Sequence, residues 1–115
     1  MVTHPELPTL SDALRTKDLL GEKNRNILGV VLNRISRKDQ IRGDHVSLFM
    51  ELPIIGMIRD DKRVRKSIES KNPVVLNYPK SEVSTDFRRV AYSLLDREPN
   101  LTPALWDRLR GFFRL

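Results

Sequence analysis

The sequence has no cysteine and only two histidines, His4 and His45. Disulfides, thiolate zinc sites and cysteine nucleophiles are thereby excluded, and the two imidazoles do not stand at metal-ligand spacing. Long apolar runs are missing too. None approaches the roughly 18 residues that span a bilayer, and the opening Met1-Val2-Thr3-His4-Pro5 has none of the features of a secretory signal. The expected location is the cytoplasm, or the inner face of the cell membrane as a peripheral protein. Glycine is scarce, with five scattered residues and no glycine-rich loop carrying a lysine and a Ser/Thr. Without such a loop nothing cradles the β- and γ-phosphates of a nucleotide. Magnesium is not expected to bind this chain alone, and catalysis by it alone is not expected. Ser-His-Asp, paired-carboxylate and metal-binding constellations at diagnostic spacing are also missing.

What is present is a chain of 115 residues, enough for one domain or part of one, with 39% apolar and 31% charged residues. Its core must be built mostly from Leu, Ile and Val, because aromatics make up only 6%. The net charge of +6 favours a polyanionic partner, either nucleic acid or an anionic membrane. The basic residues are spread out, with Arg34, Arg37, Lys38 and Arg42 in one polar stretch, Lys62, Arg63, Arg65 and Lys66 in another, and Arg108, Arg110 and Arg114 near the end. A solvated face is the plainest reading of any one of them.

Periodicity gives the elements. Thr9 and Asp12 form a capping-box-like start to a helix over about 8–20. Residues 26–33 hold a β-branched run that reads as a strand covered on both faces, as in a parallel sheet. After a polar loop over 34–43, Asp44 can cap a short helix bearing Val46, Leu48, Phe49 and Met50, with Val46, Phe49 and Met50 on one face. Residues 53–58 read as the next parallel strand, opened by Pro53. Asp60 and Asp61 then start a charged helix to about Ser70, with Val64 and Ile68 as its apolar stripe. Residues 74–76 read as a short strand or extended segment. Ser81 caps a helix whose core face is Phe87, Val90, Ala91, Leu94 and Leu95. The alternation implies an α/β fold with a mainly parallel sheet and flanking helices. Only three residues and a short loop precede the first helix, so the series is expected to begin inside a larger sheet.

Several segments in register carry a family resemblance. Thr3-His4-Pro5-Glu6, Leu10 to Arg15, Gly29-Val30-Val31-Leu32-Asn33-Arg34, Leu52-Pro53-Ile54-Ile55-Gly56-Met57-Ile58, Asp61 to Arg65, and Asn72-Pro73-Val74-Val75 leading into Tyr78-Pro79-Lys80-Ser81 together resemble the carboxyl-terminal half of MinD/ParA-type ATPases. The resemblance implies a partial P-loop NTPase-like fold and ATP as cofactor, with the phosphate-binding half supplied elsewhere. It places Asn33 and Arg34, after the strand, beside the adenine base, with Ile58, Arg59 and Asp60 in the neighbouring loop. An amide offers both a donor and an acceptor to a base edge; taken alone, Asn33 and Arg34 also suit strand-end capping at a turn. The resemblance further puts Glu6 and Asp12 at a dimer interface. The sequence departs from the family at His4, where asparagine is usual, and at Arg59, where proline is usual.

The tail has its own pattern. Thr102-Pro103 is a helix start, and Leu105, Trp106, Leu109, Phe112 and Phe113 gather on one face at about 100° per residue. Asp107, Arg110 and Arg114 lie opposite, and Arg108 flanks the apolar face. Such a helix lies in a membrane interface or folds back over its own sheet. MinD-type proteins typically end in a membrane-targeting helix, so the expected organisation is an ATPase-half domain over 1–96, a linker over 97–101 and an amphipathic membrane-binding helix over 102–115.

The resulting expectation is a truncated or split MinD/ParA-like ATPase segment with adenine-side loops and a membrane-binding tail. The resemblance links it to division-site placement or intracellular positioning. Its partners would be an anionic membrane surface, a second copy or a complementing amino-terminal half, and a MinC-like protein; DNA fits less well, because the tail is aromatic. The alternative is a stand-alone module that binds a membrane or DNA surface and has no nucleotide role.

Overall fold

The computed structural model describes residues 1–23 and 26–97. The chain forms two compact units, residues 1–60 and 61–115.

The first unit contains β1 (Val2–Thr3), α1 (Leu7–Glu22), β2 (Val30–Ile35), α2 (Gly43–Met50) and β3 (Ile54–Arg59). The strands form a parallel sheet in the order β1-β2-β3, as the α/β reading requires. β2 starts four residues later than its apolar run suggests. Pro53, which has no N–H to give a ladder, holds the start of the partner strand β3 at Ile54, while the Pro53 carbonyl accepts the Val30 N–H at 2.8 Å. β1 is an element that the periodicity does not show: Val2 and Thr3 pair with Val31 and Leu32.

Leu10, Ala13, Val30, Leu32, Val46 and Met50 form the core of this unit, uniting α1 and α2 with one face of β2. Val31 and Ile58 are buried as well, so β2 has buried residues on both faces, as its β-branched run implies. In α2, Val46 and Met50 are fully buried at i, i+4, whereas Phe49 is 42% and Leu48 79% exposed. Phe49 therefore lies off the face on which Val46 and Met50 meet. The helix starts differ from expectation. Thr9 and Asp12 do not cap α1, which begins at Leu7 with Glu6 as N-cap and Pro8 in the first turn. Arg42 rather than Asp44 is the N-cap of α2, and Asp44 sits in the first turn, where a carboxylate suits the helix dipole.

The second unit holds α3 (Lys62–Glu69), α4 (Val74–Asn77) and α5 (Glu82–Arg97). Asp61 caps α3, accepting the Arg63 N–H at 2.8 Å. Ser67, not Ile68, is the buried residue of α3; Ile68 is 72% exposed. The segment at 74–76 is a helical turn rather than a strand, since Pro73 leaves its carbonyl to accept the N–H groups of Leu76 and Asn77. Ser81 caps α5 as expected, its hydroxyl accepting the Ser84 N–H at 3.3 Å. Small polar side chains join these helices: the Asn77 amide donates to the Ser70 hydroxyl at 2.9 Å, and the Ser84 hydroxyl to the Tyr78 carbonyl at 2.7 Å. On α5, Val83, Ser84, Asp86 and Leu95 are buried and Leu94 is 37% exposed, so the buried stripe begins one turn earlier than the Phe87–Leu95 periodicity places it. Helical backbone continues through Arg97, the first residue of the expected linker. The rest of the expected linker and the tail helix with Leu105, Trp106, Arg108, Leu109, Arg110, Phe112, Phe113 and Arg114 lie outside the described residues.

Candidate functional site

The β2–β3 pairing has two irregularities, one at its start and one at the carboxyl end of the sheet, the end at which open α/β sheets take their ligands. Val30 pairs with Ile54 but Val31 with Gly56, so β3 carries one extra residue there. Leu32 pairs with Met57 but Ile35 with Arg59, so Asn33 and Arg34 together oppose the single residue Ile58. This second irregularity is a bulge on β2, a device that re-aims side chains and recurs beside active sites. Its backbone conformation is uncommon: Arg34 has φ 57°, the left-handed region that a non-glycine side chain rarely adopts.

The bulge is held from two sides. The Nδ1 of His4, in the loop after β1, lies 3.2 Å from the Asn33 carbonyl oxygen. The Asp60 N–H donates to the Ile35 carbonyl at 2.9 Å, tying the end of β3 to the end of β2. The Asn33 Oδ1 accepts the Arg34 N–H at 2.9 Å, which fixes the carboxamide. Its NH₂ group has no partner among the described residues and can donate to a ligand.

The five residues that the resemblance assigns to the base therefore converge at one end of one sheet. Asn33 is half-buried, Arg34 and Asp60 are exposed, and Arg59 is partly buried. Ile58 is only 4% exposed, so its side chain belongs to the interior and only its backbone reaches the loop. Glu6 and Asp12, assigned to a dimer interface, are exposed on the N-cap and second turn of α1. Asp12 lines a depression of about 420 Å³ with Val2, Thr3, Thr9 and Thr16, along the outer edge of β1. There Thr3 Oγ1 is buried without a hydrogen-bond partner and Val2 is 67% exposed.

A cavity of about 450 Å³ adjoins the bulge, lined by Leu32, Ile35, Met57, Ser36, Asp39 and Arg42 among others. The extra residue in β2 lets Leu32 and Ile35 both face it. Ser36 and Asp39 are polar residues that no motif picks out, their only signal being the polar loop itself, whereas Arg42 belongs to the first basic stretch. The loop is folded on itself, with Asp39 Oδ2 accepting the Ser36 N–H at 2.6 Å. Gly43, at the start of α2, closes the cavity, and a Cβ there would run into the Met57 methyl. Among the described residues no group of His, Asp and Glu is placed to hold a metal ion, and no helix is long and apolar enough to cross a membrane.

No known family profile matches the chain. An uncharacterised ATP-binding protein of Methanocaldococcus jannaschii is 29% identical over 96 residues, covering 83% of this chain and 36% of that protein. A chloroplastic septum site-determining protein minD homolog of Arabidopsis thaliana is 27% identical over 121 residues, covering 98% of this chain and 37% of its own. The chain thus spans little more than a third of the curated relatives it matches. Among solved structures, the cell division ATPase MinD of Pyrococcus furiosus superposes with a TM-score of 0.78 at 29% identity, over 84% of this chain and 41% of that one. The septum site-determining protein MinD of Pyrococcus horikoshii, complexed with Mg-ADP, gives 0.76 at 26% identity, over 81% and 40%. A MinC:MinD cell division protein complex of Aquifex aeolicus gives 0.76 at 24% identity, over 88% and 43%, a likeness of fold. The relatives and structural neighbours of this chain are MinD/ParA-family ATPases, and it is similar to a part of them in sequence and in fold.

Proposed function

We propose that this chain carries the adenine side of a MinD/ParA-type nucleotide site and a membrane-binding tail over 102–115, in the service of division-site placement or intracellular positioning. The observation that carries the reading is the Asn33–Arg34 bulge at the carboxyl end of β2, held by His4 and bordered by Arg59 and Asp60. A fixed carboxamide with its NH₂ available, next to an exposed guanidinium, suits a purine edge and face. The phosphates and magnesium have no glycine-rich loop in this sequence to hold them, so a complementing segment supplies that half. The open outer edge of β1, with exposed Val2 and the unpaired Thr3 hydroxyl, is suited to accept it. Glu6 and Asp12 would face a second copy, and a MinC-like protein is a further partner by analogy with the structural neighbours.

Saturation transfer from the protein to the adenine protons of ADP tests the nucleotide reading. Transfer in the wild type that disappears in Asn33→Ala and Arg34→Ala supports it; no transfer at millimolar ADP contradicts it. For the tail, Trp106 is the sole tryptophan and its emission reports directly. Anionic vesicles should shift it to the blue, salt should weaken the shift and Phe112→Glu should abolish it. An emission already blue without lipid and unmoved by vesicles means the tail packs on protein.

A further inference from the structure

Helix α3 has the sequence KRVRKSIE, four cations against one acid in eight residues. At about 100° per residue, Lys62, Arg65 and Lys66 fall within one outward quadrant with Glu69, while Ser67 and Val64 point inward. Ser67 is 2% exposed, and the three cations are exposed. Arg63 is paired with its own cap, 3.0 Å from the Asp61 carboxylate. Lys62, Arg65, Lys66 and Lys71 have no partner among the described residues. Beside this quadrant Ile68 stands out from the helix at 72% exposure. Ile68 also rims an apolar groove of about 270 Å³ lined by Val64, Pro73, Val75 and Phe87. Leu76, on the next helix, is 42% exposed.

We infer that α3 is a second membrane contact, in which Lys62, Arg65, Lys66 and Lys71 meet anionic headgroups and Ile68 enters the interface beside them. The inference rests on the membrane reading of the tail for its biological setting, but α3 makes the contact with its own residues. Charge complementarity selects an anionic partner. The apolar component selects lipid over nucleic acid: a phosphate backbone offers nothing to an exposed isoleucine or an apolar groove, whereas basic amphipathic helices lie on membranes with their aliphatic side chains buried and their cations at headgroup level. A tail that binds reversibly gains from a second contact on the same chain, because the second binding event becomes intramolecular.

The test uses the full chain and vesicles of phosphatidylcholine with or without phosphatidylglycerol, read by co-sedimentation. Phe112→Glu disables the tail. In that background the chain should still bind phosphatidylglycerol vesicles at low salt and release at high salt. Adding Arg65→Glu and Lys66→Glu should lower the partition coefficient roughly tenfold or more, and Ile68→Asp alone should lower it as well. Arg65, Lys66 and Ile68 are exposed, and unchanged far-UV circular dichroism confirms the fold. Equal binding with and without the α3 changes would overturn the inference. So would binding of the Phe112→Glu chain to duplex DNA but not to vesicles. Failure of the tail reading looks different: Trp106 emission stays unmoved by vesicles while the α3 variants still lose binding.

Discussion

His4 Nδ1 lies 3.2 Å from the carbonyl oxygen of Asn33, bridging the loop after β1 to the bulge in β2. A carbonyl can only accept, so the ring nitrogen donates and Nδ1 carries the proton. His4 thus acts on the backbone of the candidate site. Asparagine has an amide N–H that can make the same contact.

His4→Ala is therefore expected to lower stability by about 1 kcal/mol, the net worth of one hydrogen bond, and to weaken adenine binding. His4→Asn should restore most of both. Urea unfolding followed by circular dichroism measures the first effect, and saturation transfer from protein to ADP the second.

Arg34 gives the opposite combination. Its φ of 57° disfavours any side chain, so Arg34→Gly should leave stability unchanged or raise it by up to about 1 kcal/mol. Arg34→Val should cost more than about 1 kcal/mol, because a β-branched residue tolerates this region least. Both substitutions remove the guanidinium and should weaken binding. A glycine variant that loses stability as well as binding would show that the arginine side chain holds the bulge together.

Gly29 is required by close approach. A Cβ there would lie 2.6 Å from the Ile55 Cγ2 and 2.7 Å from the Pro53 carbonyl oxygen. The carbonyl cannot swing away, since it accepts the Val30 N–H. Gly29→Ala should destabilise the β2–β3 pair by roughly 1–3 kcal/mol, read as a lower urea midpoint at unchanged slope.

The fold class could be read from the sequence because the two main strands are short β-branched runs between amphipathic helices. What escaped was set by partners in space. β1 is two residues long, too short for any periodicity, and exists because Val31 and Leu32 are there to pair with it. Residues 74–76 are as β-branched as a strand, yet Pro73 starts a helical turn there. Ile68 fits a helical stripe but is exposed, while the small Ser67 takes the buried place. At the site, Asn33 and Arg34 came from the family resemblance, and Arg59 and Asp60 followed them. Nothing in the sequence pattern shows the bulge, because it arises from a mismatch in spacing between β2 and β3 rather than from the residue types of either strand.

The purified chain is expected to hydrolyse no ATP. The sequence has no glycine-rich loop with its lysine to orient the β- and γ-phosphates. Phosphate release should match a no-protein control. Turnover that survives repurification and disappears in Asn33→Ala would overturn this expectation.

The central claim, that the end of β2 is the adenine side of a nucleotide site, is tested most directly by titrating ¹⁵N-labelled chain with ADP and following backbone amide shifts. Saturable shifts centred on His4, Asn33, Arg34, Arg59 and Asp60 are expected, with weak affinity because the phosphates are unheld, and similar shifts with adenosine. Shifts confined to the lysines and arginines of α3, reproduced by inorganic phosphate and absent with adenosine, would contradict it.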